Sequence, residues 1–238
     1  MITVSVLTHA PFQEDFHMIN SFRSLLVAMA LLVASPFALA EKHPAQDLVE
    51  TIVSEMLAIL NDDADKIAND PDWLQARVDE IVVPHLDFGA MTKLAVGKFW
   101  RKASDEQKTE LVDEFRQLLL NTYTGAMTEY RGETINFAPF RPEKREDRAI
   151  VRSVFSPASG DDVPVNYKLR DKGGWRIYDI EVNGISLVTN YRTAFASEIS
   201  KGGIDGLITT LKERNARGES SGGGEFNEGG KLNGDGAQ

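Results

Sequence analysis

The sequence predicts an α+β fold in which a single antiparallel sheet of about four to five strands lies between N-terminal and C-terminal helices. Three observations predict it. Apolar residues recur at helical spacing over residues 44–130, at alternating spacing over residues 134–182, and again at helical spacing over residues 191–214. Helices and strands that are segregated along a chain are typical of α+β proteins with one sheet.

Each of the four predicted N-terminal helices begins at a proline or at a residue that can cap a helix. The starts are Pro44, Asp70-Pro71, Asp87 and Ser104. Proline suits the first turn of a helix because the N–H group it lacks would have no partner there. Ser104 and Gln107 form a capping box. The apolar spacing after Ser104 continues to about residue 130, so this helix is the longest, at roughly 40 Å.

Four segments in which apolar and polar residues alternate follow the helices. They are residues 134–140, 148–155, 163–170 and 174–182. Turn residues separate the last three, so we expect an antiparallel meander. A short segment with Leu187 comes next, and two closing helices are predicted over residues 191–200 and 204–214, divided by Gly202-Gly203.

The last of the four strands carries apolar residues on both of its faces. Strict alternation puts Trp175 and Ile177 on one face, and Tyr178, Ile180 and Val182 on the other. A sheet with one solvent-exposed face should instead alternate between apolar and polar residues. Two explanations stay open here: helices cover both faces of the sheet, or the second face lines a ligand cavity.

Both ends of the chain are predicted to lie outside the folded domain. In residues 18–40, Arg23 precedes an apolar core over residues 25–33, and a small-residue site ends at Ala40. The apolar core is shorter than the ~20 residues that a membrane anchor needs, so we predict a secretory signal peptide cleaved after Ala40. The full division is an over-extended start at 1–17, the signal peptide at 18–40, the folded domain at 41–215 and a flexible Gly- and Ser-rich tail at 216–238.

The composition excludes several classes of function. The chain has a formal net charge of −10 at pH 7 and no cysteine. An acidic surface disfavours nucleic acid and permanent attachment to an anionic membrane, so we expect only transient membrane contact. Without cysteines the chain can form neither disulfides nor a thiolate nucleophile.

The residues beyond the predicted cleavage site contain few candidates for catalysis. His43 and His85 are the only histidines there, and their separation does not fit a zinc site, so we predict no metal. No nucleophile elbow, Walker loop or dinucleotide fingerprint is present. Asp179 and Glu181 could act as an acid–base pair if they were buried, but a solvated strand edge or a salt bridge to Lys168 or Arg176 is the more common reason for such a pair.

Several short phrases follow one another along the chain: VGKFW (96–100), ASDEQ (103–107), YRG (130–132), WRIYDI (175–180), GISL (184–187), NYR (190–192), Phe195 and GIDGL (203–207). Their order and spacing resemble the MlaC (toluene-tolerance, Ttg2-type) family of periplasmic phospholipid carriers. The resemblance covers about residues 45–215. Val96 stands where the family commonly has a leucine before the glycine, a mild departure that does not affect the expected fold.

The resemblance implies a soluble, non-enzymatic shuttle in the periplasm that helps to maintain outer-membrane lipid asymmetry. Its implied partners are phospholipid, an outer-membrane lipoprotein–porin complex and an inner-membrane substrate-binding and ABC transporter complex. Phospholipid would be cargo, and no cofactor is implied. The implied fold is a curved sheet wrapped by helices around an apolar cavity, and we expect a monomer.

With that fold, apolar side chains of both layers become candidates for the wall of a lipid slot. They are Leu94, Phe99, Phe115, Leu119 and Tyr123 from helices, and Phe137, Val151, Val165, Tyr167, Ile177, Ile185 and Leu187 from the sheet and the segment after it. Arg192 and Lys201 are weaker candidates for contacting the phosphate of the head group. Two other functions stay open: an α+β enzyme that uses Asp179 or Glu181 on a small apolar substrate, and an envelope adaptor that binds no lipid.

Overall fold

A computed structural model of the protein describes residues 42–128, 130, 132–157 and 159–217. The predicted over-extended start, the signal peptide and the tail from residue 218 onward lie outside the described residues, so they stay predictions. Among the described residues, no helix combines the length and the apolar character that crossing a bilayer requires.

Within residues 42–128, five helices precede the sheet. They are α1 (Pro44–Asp62), α2 (Ala64–Asn69), α3 (Pro71–Ile81), α4 (Phe88–Val96) and α5 (Asp105–Met127), with 3₁₀ turns at Val83–His85 and Gly97–Lys102. Four of them begin where the sequence predicts. The helix that was not predicted, α2, has only six residues and one buried side chain, Ile67, so it offers no apolar periodicity to detect.

Side chains at the helix starts make the predicted capping contacts. Oδ1 of Asp70 accepts the N–H of Trp73 at 3.1 Å, and Oδ1 of Asp87 accepts the N–H of Ala90 at 3.0 Å. The capping box before α5 is reciprocal: Gln107 N–H donates to Oγ of Ser104 at 3.1 Å, and Ser104 N–H donates to Oε1 of Gln107 at 3.0 Å. These contacts satisfy backbone donors that the helices themselves cannot pair.

The sheet is an antiparallel meander with the strand order of the sequence. Its strands are β1 (Thr134–Phe137), β2 (Arg148–Ser156), β3 (Val163–Asp171), β4 (Trp175–Val182) and β5 (Ile185–Ser186). This confirms the predicted single antiparallel sheet. The first predicted strand was too long, because β1 stops at Phe137 and Pro139, which has no N–H to donate, follows.

A β-bulge in β4 corrects the predicted placement of its apolar side chains. Leu169 pairs with Ile177, whereas the preceding residue of β3, Lys168, pairs with Asp179, so Tyr178 is the extra residue. Beyond the bulge, Ile180 pairs with Tyr167. Because directly paired residues point to the same face of a sheet, Ile177 and Ile180 share a face, and the prediction that they point to opposite faces was wrong.

One long kinked helix, α6 (Arg192–Ala216), closes the fold after a 3₁₀ turn at Thr189–Tyr191. The kink is at Gly203, whose φ of 70° lies in the left-handed region that glycine tolerates. The predicted division of the C-terminal helical region at Gly202-Gly203 is therefore confirmed as a kink within one helix.

Two groups of buried apolar side chains hold the helices in place. The larger one joins one face of the sheet to α1, α4, α5 and α6 and includes Phe115, Leu169 and Phe195. The smaller one lies among α1, α2, α3 and α5 and includes Leu74, Val78 and Leu120. The larger group, which we call the main core, contains the sheet face on which the candidate site lies.

Candidate functional site

The pairing register assigns the strand residues to two chemically different faces. The inner face carries apolar side chains, since the pairs Ala149–Leu169 and Val151–Tyr167 belong to the main core. The outer face carries charged side chains, such as Lys168 and Arg170, with polar partners. The sheet therefore has one apolar face, as expected for an antiparallel sheet with one solvent-exposed side.

Burial changes along the inner face. At one end, Ala149, Val151, Leu169 and Ile177 are at most 3% exposed. At the other end, the paired apolar side chains are only half-buried, and we call this region the open end. Its members are Phe137, Phe155, Val163, Val165, Ile180 and Val182.

The open end also differs from the buried end in its packing. Phe137, Val165 and Ile180 pack against the main core at its margin. Phe155 pairs with Val163 on β3 and with Ile135 on β1, which is likewise half-buried. An apolar surface that helices leave partly uncovered on a folded domain is typical of a binding site for an apolar ligand.

Three uncharged polar side chains, those of Ser153, Tyr167 and Tyr123, lie close to the inner face. Ser153 is 3% exposed, and its hydroxyl donates to the carbonyl of Val165 at 3.3 Å. Burial raises the pKa of Tyr167, and burial together with the neighbouring Tyr191 and Asp179 raises the pKa of Tyr123. These phenols therefore stay neutral at any physiological pH, so they add hydrogen-bonding capacity without charge.

Asp179 and Glu181 have structural partners. Asp179 is 3% exposed, accepts a hydrogen bond from the hydroxyl of Ser186 at 2.7 Å, and lies 3.4 Å from Nζ of Lys168. Glu181 accepts a hydrogen bond from the same Nζ. Ser186 in turn accepts the N–H of Thr189 at 2.9 Å. The two carboxylates thus tie β4 to β3 and to the connection that leads into α6.

The twelve predicted wall residues fall into three groups. Five are buried within the main core: Phe115, Leu119, Val151, Tyr167 and Ile177. Five are partly buried and pack against it: Leu94, Phe99, Tyr123, Phe137 and Val165. Ile185 is 49% exposed and Leu187 is half-buried, both in the segment that follows β4. The structure thus brings ten of the twelve together.

The two predicted head-group residues do not lie at equivalent places. Nε and one terminal nitrogen of Arg192 donate to the carbonyl of Leu94 at 3.0 and 2.8 Å, which joins α6 to the end of α4. Lys201 is exposed and pairs with Glu198 on the same helix at 2.8 Å. Their role at a head group stays a prediction.

Several residues of the open end were not among the predicted wall residues. Phe155 and Val163 could have been included, since their strands alternate regularly and place them on the face of Val151 and Val165. Ile180 could not, because only the bulge brings it to that face. Among the described residues, no cluster of histidine and acidic side chains could hold a metal ion.

Comparison with known protein families tests the resemblance that the short sequence phrases indicated. The sequence profile described as "MlaC protein" matches residues 50–213, more than half of the chain. The chain belongs to the MlaC family. The sequence resemblance is therefore confirmed, and the α+β architecture with one antiparallel sheet is that of an MlaC-like fold.

Named relatives of this MlaC-family chain include two proteins and one solved structure. Toluene tolerance protein ttg2D of Pseudomonas putida is 28% identical over 185 residues, covering 77% of this chain and 84% of that protein. The intermembrane phospholipid transport system binding protein MlaC of Haemophilus influenzae is 22% identical over 196 residues, covering 81% and 91%. The phospholipid-binding protein of Ralstonia solanacearum, solved in complex with a phospholipid, is 36% identical, with a TM-score of 0.67 over 74% of this chain and 99% of that one.

Proposed function

We propose that this MlaC-family chain is a periplasmic phospholipid carrier that holds its cargo by the acyl chains. The observation that carries the proposal is the open end of the inner face, where paired apolar side chains of four strands are only half-buried. The 36% identity with a protein solved in complex with a phospholipid supports the choice of ligand.

An apolar surface is sufficient for this task. Burying two acyl chains of ~16 carbons each is worth on the order of 25 kcal/mol relative to water, at ~0.8 kcal/mol per CH₂. Leaving a bilayer costs a similar amount, so the carrier only has to match the bilayer. No bond has to be made or broken, and we propose no catalytic role for Asp179 and Glu181.

The wall of the proposed slot follows from burial. Half-buried candidates such as Phe137, Val165 and Phe99 have accessible surface to offer an acyl chain, and Ile180 joins them. Buried candidates such as Phe115 and Val151 have almost none, so we propose that they support the wall from behind. Neutral buried hydroxyls, such as that of Ser153, add hydrogen-bonding capacity beside this wall.

The proposed setting is the space between two membranes. Residues 18–40 would direct export as a signal peptide that is cleaved after Ala40. The carrier would then exchange phospholipid with an outer-membrane lipoprotein–porin complex and with an inner-membrane ABC transporter complex, and so maintain outer-membrane lipid asymmetry. The name of the Haemophilus influenzae relative, an intermembrane phospholipid transport system binding protein, supports this assignment.

The proposal predicts that cargo leaves the protein at a specific partner. Protein loaded with a labelled phospholipid should deliver it to proteoliposomes that contain the inner-membrane transporter complex, because a phospholipid that leaves the slot without a docked partner has to expose its acyl chains to water. Liposomes of the same lipids without the complex should acquire little label. Equal delivery to both kinds of vesicle would contradict a partner-directed carrier.

A further inference from the structure

In one short stretch of this acidic protein, all of the charged residues are basic. Residues 88–104, which cover α4 and the 3₁₀ turn after it, contain no aspartate or glutamate. They contain four basic residues, all of them exposed, which we call the basic corner: Lys93, Lys98, Arg101 and Lys102. With a net charge of −10 for the whole chain, such a local excess of positive charge requires an explanation.

The basic corner has no internal counter-charge. Among the described residues none of its four side chains forms an ion pair, whereas other surface basic side chains, including Arg116, Arg152 and Lys212, do. The carboxylates that flank the stretch are also occupied. Asp87 pairs with Arg170, and Asp105 pairs with Lys108 at 2.9 Å.

Aromatic side chains lie among these charges. Phe99 and Trp100 are half-buried at the margin of the main core. Nζ of Lys98 lies 5.2 Å from the centroid of the Phe99 ring. Half-buried aromatic rings between exposed lysines and arginines have the composition of a surface that rests in the head-group region of a bilayer.

We propose that the basic corner docks the protein reversibly on anionic phospholipid head groups at a membrane surface. The inference rests on the proposed function, since a carrier must approach the bilayer that supplies its lipid. Four basic residues attract an anionic surface only within about a Debye length, and the negative charge of the rest of the chain opposes prolonged residence. An acidic partner protein would also complement the charges, but three of the four residues are lysines, which are depleted at protein–protein interfaces, so the composition favours the membrane surface.

Charge reversal with a matched control tests the proposal. The variant is Lys98→Glu with Arg101→Glu, and the control is Arg141→Glu with Lys144→Glu, two exposed basic residues that also form no ion pair among the described residues. Both variants change the net charge equally. Flotation with vesicles of phosphatidylcholine and phosphatidylglycerol at low salt measures membrane binding.

The corner variant should float at least about tenfold less than the unsubstituted protein, because each basic residue near an anionic surface contributes about fivefold. The control should change flotation by less than about twofold. Vesicles of phosphatidylcholine alone should bind none of the three proteins. Equal losses in both variants, or no flotation of the unsubstituted protein, would overturn the inference. So would a corner variant that floats normally and fails only in delivery to the transporter complex, since that result assigns the corner to a protein partner.

The phospholipid that copurifies with the corner variant separates this inference from the proposed function. It should equal that of the unsubstituted protein, since the substitutions lie outside the slot. Lost flotation with retained lipid would support the docking role of the basic corner and leave the proposed function intact. The absence of lipid in every form of the protein would reject the proposed function.

Discussion

Replacing Val165 by glutamate should reduce phospholipid loading by more than tenfold while the protein stays folded. Val165 is half-buried at the open end of the inner face, between Ser153 on β2 and Val182 on β4. A carboxylate among acyl chains loses hydration without gaining a partner, at a cost of at least about 2 kcal/mol, which corresponds to about thirtyfold in affinity. Phospholipid per protein after solvent extraction measures the effect.

Val154→Glu is the matched control for this substitution. Val154 is also a half-buried valine, on the neighbouring strand, but it pairs with Pro164 and Asn136 on the outer face, and both of these are exposed. Its carboxylate reaches water, so stability should change by no more than about 0.5 kcal/mol and loading should be normal. Equal loss of lipid in both variants would show that the inner face is not the binding surface.

Replacing Phe115 by alanine should mainly lower stability, whereas replacing Phe137 by alanine should mainly lower phospholipid loading. Phe115 is 0% exposed, with ring centroids 5.2 Å from those of Tyr191 and Phe195. Phe115→Ala should lower the free energy of unfolding by about 4 kcal/mol and leave the loading of the folded fraction nearly unchanged.

Phe137 is half-buried, and the centroid of its ring lies 6.4 Å from that of Tyr167. Phe137→Ala should cost about 1 kcal/mol of stability and about fivefold in loading.

Urea unfolding and lipid quantification on the same samples measure both quantities. If Phe115→Ala lost its lipid while fully folded, the slot would extend further into the core than the burial of Phe115 indicates. If Phe137→Ala kept full loading, the open end would lie outside the slot. The crossed design therefore locates the boundary between core and wall.

The architecture could be predicted because each of its signals is local. Pro44, Asp70, Asp87 and Ser104 mark helix starts through contacts within one turn, and the alternation of residues 148–155 assigns the faces of β2. The kink in α6 follows from a glycine pair. In each case a few neighbouring residues determine the conformation, so the sequence is sufficient.

The bulge in β4 could not be predicted because it depends on a neighbouring strand. Nothing within residues 175–182 shows that Tyr178 is an extra residue; the pairing with β3 shows it. With the bulge, the strand that seemed apolar on both faces contributes Ile177 and Ile180 to a single face. Neither of the two explanations left open by the sequence is then needed for this strand.

The extent of the wall also depends on long-range packing. Val151 and Val165 are indistinguishable in the sequence, because both are valines on the inner face of strands in which apolar and polar residues alternate. They differ because helices cover one end of the inner face and leave the other half-buried: Val151 is 1% exposed, whereas Val165 lies at the margin of the main core. Only the positions of the helices above the sheet separate a supporting residue from a wall residue.

Phospholipid carriage is tested most directly by extracting protein that was purified from cells without detergent. Solvent extraction followed by mass spectrometry should release phospholipid in an amount close to that of the protein, and Val165→Glu should lower this amount by more than tenfold while Val154→Glu does not. Repeated detergent-free preparations that contain no phospholipid would contradict the proposal that this MlaC-family chain carries lipid.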